Sequence, residues 1–96
     1  MRTLLIDDMR SGDVTVTART FNEGIKALTE QGPFDILYLD HDLGEDEYKH
    51  TGMGIMDFLE INPQYLPKVI TLVTSNPVGR RNMQGVIDRL YNFRNN

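Results

Sequence analysis

The sequence predicts an α/β domain built on a mainly parallel sheet of about four strands, and two observations carry that prediction. Short apolar runs rich in Leu, Ile and Val alternate along the chain with segments whose apolar residues recur at helical spacing, the pattern of strand and helix units that wind a parallel sheet through right-handed crossovers. Three of the apolar runs also end in polar side chains: Asp7-Asp8 after the first, Asp40 after the third and Thr74 after the fourth. Open parallel sheets bind ligands beyond their carboxyl-terminal strand ends, where strand order reverses. The pattern that predicts the fold therefore also predicts where its site lies.

In chain order, Thr3 to Ile6 reads as a buried strand stopped by Asp7-Asp8, and Val14 to Thr17, with β-branched alternation, as a second. Only Met9 to Asp13 separate them. A crossover helix between parallel neighbours needs a dozen or more residues, so this connection is a loop or turn, or else the pairing is unusual. Phe21, Ile25 and Leu28 recur at helical spacing after Thr20, with Glu23 placed as in a capping box and Gly32-Pro33 ending the helix. Phe34 to Leu39 is a hydrophobic run expected to be a central strand buried on both faces. A polar, acidic loop from Asp42 to Thr51 follows, then a short amphipathic helix on Ile55, Met56, Phe58 and Leu59 ended by Asn62-Pro63. Val69 to Val73 is the fourth strand, and a last helix begins near Asn76-Pro77 and carries Met83, Val86, Ile87, Leu90 and Tyr91. Alternation of this kind places helices on both faces of the sheet.

Length and composition set the outer bounds. A chain of 96 residues holds one core and not two, so residues 1–96 are expected to form a single domain. With 40% hydrophobic and 25% charged residues the chain lies away from the composition of disordered segments. It has no cysteine, which excludes disulfides, thiolate-held metals and a Cys nucleophile and suits a reducing compartment. The amino terminus lacks the apolar core of a signal peptide, and no apolar span is long enough for a membrane; a cytoplasmic location without membrane contact is expected. A formal charge of −4 argues against duplex DNA as a partner. It leaves room for a small anion, because Arg80, Arg81, Arg89 and Arg94 collect near the carboxyl terminus while Asp7, Asp8, Asp40, Asp42 and Glu45 to Glu47 form a separate acidic group.

Three constellations carry chemistry. Carboxylates from Asp7, Asp8 and Asp40 converge at neighbouring strand ends, and with Asp42 they offer hard oxygen ligands suited to Mg2+ or Mn2+. The plain alternative is that Asp8 and Asp40 cap turns. His41 lies between Asp40 and Asp42, a setting suited to proton transfer or, equally, to a local ion pair; His50 has no such context and is expected at the surface. In Thr74-Ser75-Asn76-Pro77-Val78-Gly79-Arg80-Arg81, Asn76 suits an N-cap and Pro77 the first helical position. The helix start, the hydroxyls of Thr74 and Ser75, and Arg80 together form an anion site for phosphate, the alternative being ordinary capping with solvent-exposed arginines. No nucleophile elbow or Walker-type loop is present, and Gly52 and Gly54 are too isolated to make a phosphate loop.

At these residues the chain resembles response-regulator receiver domains, with an acidic pair (Asp7, Asp8), an aspartate ending strand three (Asp40) and a hydroxyl ending strand four (Thr74). The resemblance implies a compact, receiver-like (flavodoxin-like) three-layer sandwich, here truncated, since neither a fifth strand nor a lysine at the matching position is present. A closer resemblance is to the cyclic-phosphate processing receiver domains, carried by Ile6-Asp7-Asp8-Met9-Arg10, Leu39-Asp40-His41-Asp42-Leu43-Gly44 and Asn76-Pro77-Val78-Gly79-Arg80 with Met83 after it. Members of that family often carry histidines in strand four, where this chain has Thr71 and Val73. The resemblance implies processing of cyclic phosphate ends of RNA or nucleotides. Asp40 and His41 would be catalytic, a metal would sit on Asp7, Asp8, Asp40 and Asp42, and Arg10, Thr74, Ser75, Asn76 and Arg80 would hold the substrate. The competing expectation is a noncatalytic pseudo-receiver whose pocket binds a phosphate ligand, or whose helix face binds a protein partner.

Overall fold

The computed structural model describes residues 1–44 and 50–94. Strands β1 (Thr3–Ile6), β2 (Val16–Ala18), β3 (Ile36–Leu39) and β4 (Val69–Leu72) form one parallel sheet in the order β2-β1-β3-β4. Helices α1 (Phe21–Glu30), α2 (Gly52–Ile61) and α3 (Pro77–Arg94) and a short 3-10 turn, Pro63–Tyr65, complete the described elements. The acidic stretch Glu45 to Glu47 lies outside the described residues.

Local chemistry accounts for the element ends. Thr20 caps α1 by accepting from the Glu23 amide at 3.1 Å, while the Glu23 carboxylate turns back to accept from the Arg19 amide at 2.9 Å, closing the predicted box one residue earlier than its usual form. Asn76 Oδ1 accepts from the Gly79 amide at 3.0 Å, and Pro77 opens α3 as its first residue. Between β1 and β2 the chain forms a loop without a helix, yet the two strands still pair in parallel, with Leu5 beside Thr17. His50, expected at the surface, is half-buried and stacks on Phe21 with ring centroids 4.8 Å apart.

The α/β class, the four-stranded parallel sheet and the truncated winding are as expected, but the helices expected on both faces lie on one. Alternate strand residues Leu4, Ile6, Leu37, Leu39, Ile70 and Leu72 share a core with Leu28 of α1, Ile55, Met56 and Leu59 of α2, and Met83 and Val86 of α3; α1 packs beside α2, and α2 beside α3. The reason is directional. The crossovers from β2 to β3 and from β3 to β4 move the same way across the sheet, and right-handedness puts their helices on the same side. The β1-to-β2 connection runs the opposite way and has no helix to cover the second face. As a result β3 is not buried on both sides: Leu37 and Leu39 are fully buried, whereas Ile36 and Tyr38 are only partly so. Thr17, Val69 and Thr71 on that second face are exposed. Among the described residues no helix is long and apolar enough to cross a membrane.

Candidate functional site

The ladder continues one step beyond the strands, with the Asp7 amide donating to Ala18 O and the Asp40 amide to Ile6 O, each at 3.0 Å. This holds both aspartates at adjacent strand ends. Asp7, Asp8 and Asp40 each present an oxygen within 4.8 Å of the others, with Asp7 and Asp40 buried and Asp8 partly so. Together with Met9, Arg10 and Ser75 they line a cleft of about 360 Å³.

The two buried carboxylates are held in opposite ways. Burial pushes Asp7 up, but its Oδ1 accepts the Arg10 and Met9 amides at 2.9 Å and its Oδ2 meets the Arg10 guanidinium at 3.0 Å, and together these hold the carboxyl below its ordinary range. For Asp40, burial combines with the nearby charge of Asp7 to raise the carboxyl, against the opposing hydrogen bonds from Thr74 and the His41 amide and the charge of Arg10. Arg10 spans the pair, with Nη1 3.0 Å from Asp7 and 3.8 Å from Asp40. It is a cation in place beside an acidic cluster, and its own pKa is raised, chiefly by the hydrogen bond to Asp7.

The remaining expected residues divide between the cleft and its frame. Thr74 is buried, hydrogen-bonds Asp40 and accepts from the Asn76 amide at 3.1 Å. Ser75 faces the cleft. Asp42 lines it too, but its carboxylate bonds His41 Nδ1 at 3.1 Å and Asn76 Nδ2 at 3.4 Å and stands apart from the three-carboxylate group. Arg80 turns back toward the sheet, donating from Nη2 to Thr74 O at 2.8 Å and more weakly to Leu72 O at 3.5 Å. The guanidinium against the acidic cluster is thus that of Arg10, and Arg80 braces the end of β4.

Two glycines that sequence reasoning passed over shape the site. A Cβ on Gly52 would collide with the Asp40 carbonyl, and one on Gly79 with the His41 ring. The starts of α2 and α3 thereby close directly on Asp40 and His41, an approach only a residue without a side chain permits. The available signal was a glycine in the first turn of each helix that follows a site-bearing strand. Arg19 is a second omission: its guanidinium donates to Asp7 O at 3.2 Å, to Arg10 O, and to Ser11 Oγ at 3.0 Å, fastening the loop after β1.

The model of the cyclic-phosphate processing receiver domain family matches residues 2–89. No curated protein and no solved structure gives a significant match. Since the family match runs from the first strand into the last helix and takes in every carboxylate of the cleft, the chain belongs to the cyclic-phosphate processing receiver domain family.

Proposed function

We propose that the cleft binds a divalent cation, Mg2+ or Mn2+, through Asp7, Asp8 and Asp40, and with it a phosphate group whose cyclic ester the protein opens. The observation that carries this is the close approach of three carboxylates with a single guanidinium between two of them. Such a donor set fits a small hard cation and is self-repelling without one. When bound, the cation would polarise a phosphoryl oxygen.

The chain's own residues supply the rest. Arg10 neutralises charge on the phosphoryl group, being long enough to leave Asp40 while staying beside Asp7. Asp42 accepts from His41 Nδ1, which leaves Nε2 as the basic nitrogen. His41 then takes a proton from a water that bonds to phosphorus as one ring P–O bond breaks, and the freed hydroxyl oxygen is protonated in turn. Asn76, bonded to Asp42, and Gly79, packed on the imidazole, hold this pair in place.

The test is phosphorus NMR of nucleoside 2′,3′-cyclic monophosphates incubated with the protein and Mg2+ or Mn2+. Conversion to the monoesters that is lost in Asp40→Asn supports the reading. A second reading, a binding module without catalysis, is favoured by His41 packing against the start of α3 rather than forming the wall of the cleft. Metal-dependent binding without conversion would select it.

A further inference from the structure

We infer that the face of the sheet left bare by the helices carries a nucleobase subsite centred on Tyr38, continuous with the carboxylate cleft; the inference rests on the phosphate-site reading above. Leu5, Tyr38, Val14 and Val73 line a cavity of about 230 Å³ together with Arg10 to Asp13. Its lining suits a flat, largely apolar group: a partly buried aromatic ring on a strand beside aliphatic side chains, with polar groups available from Arg10 to Asp13.

Register makes it part of one site. Leu5 and Tyr38 are neighbours in the sheet, and Asp7 and Asp40 follow them by two residues, one step past the ends of β1 and β3 where the ladder continues, about 6.6 Å further along at strand spacing and alternation. Arg10 borders both cavities. A phosphate held at the carboxylates thus has the Tyr38 pocket one ribose away, the spacing at which a nucleoside phosphate carries its base. Part of that lining is already fastened, because Arg19 donates to Arg10 O and Ser11 Oγ. Asp13, also in the lining, can only accept a hydrogen bond, and both the amino group of cytosine and the N3–H of uracil can donate one, so it serves either base.

Calorimetric titration in the presence of Mg2+ tests this with three probes: inorganic phosphate, cytidine 2′,3′-cyclic monophosphate and uridine 2′,3′-cyclic monophosphate. Wild type should bind the cytidine compound at least tenfold more tightly than inorganic phosphate. Tyr38→Ala should weaken the nucleotides about tenfold or more, the range for loss of base stacking, leave inorganic phosphate unchanged, and be rescued in Tyr38→Phe. Asp13→Ala, at an exposed position that spares the fold, should weaken both nucleotides and leave inorganic phosphate unchanged. If wild type binds inorganic phosphate but gains nothing from the base, or if Tyr38→Ala weakens all three probes equally, the subsite is overturned while the cleft stands. Failure of wild type to bind any probe would overturn both.

Discussion

Replacing Asp40 by Asn should stabilise the metal-free protein while removing its response to magnesium. Asp7 and Asp40 present oxygens within 4.8 Å of each other, which at an effective dielectric constant of about 20 corresponds to roughly 3 kcal/mol of repulsion. Arg10 offsets part of this at 3.8 Å, but its side chain is 48% exposed, and solvent screening keeps that offset small. The Asp40 side chain is only 11% exposed, so its repulsion is less screened. The neutral amide removes the repulsion and can still accept from the His41 amide, for a net gain of about 1–2 kcal/mol, or roughly 4–8 °C in Tm per kcal/mol. In wild type, a cation at ten times its Kd adds about 1.4 kcal/mol by mass action. Thermal unfolding of both proteins, with chelator and with a magnesium series, measures the two effects together. A lower Tm for Asp40→Asn in chelator, or an undiminished magnesium shift, would refute the electrostatic account of the cluster.

Asp7→Asn should do the reverse, lowering metal-free stability by about 1–3 kcal/mol, because the amide loses charge-assisted bonds to Arg10 and Met9; denaturant titration in chelator checks the sign. The two carboxyls also predict the shape of the pH profile. Asp40 binds its proton more tightly folded than unfolded, so metal-free stability rises as pH falls from neutrality through its raised pKa. Asp7, with a depressed pKa, contributes stability above the ordinary carboxylate range that is lost as pH falls through its folded value, so the profile turns down in acid; monotonic loss from neutrality would contradict this. Gly79→Ala should displace the His41 ring and slow cyclic-phosphate conversion by tenfold or more while leaving the magnesium shift intact, which paired activity and melting assays separate. His41→Ala should lower conversion about a hundredfold with little change in ligand affinity, the pattern of a lost proton-transfer group. Full activity would reduce His41 to a structural neighbour of α3.

The order of elements, the caps at Thr20 and Asn76, and the delivery of Asp7, Asp8 and Asp40 to strand ends follow from the sequence alone, because each depends on side chains acting within a few residues of themselves. The family could be recognised at that level too, from motifs that lie on those same strand ends. Sheet order was beyond reach of such local signals. Periodicity reports which residues of a segment face a core and is silent on which strand lies alongside, and it was the order β2-β1-β3-β4 that sent the described helices to one face and left Tyr38 only partly covered on the other. The division of labour between the arginines was decided in the same way. Arg80 sits at the start of a helix as its spacing predicts, yet its guanidinium finds the Thr74 carbonyl, and Arg10, on a loop with no regular pattern, covers the carboxylates. A long side chain goes where the folded surroundings offer partners, and only the tertiary structure brings those partners together.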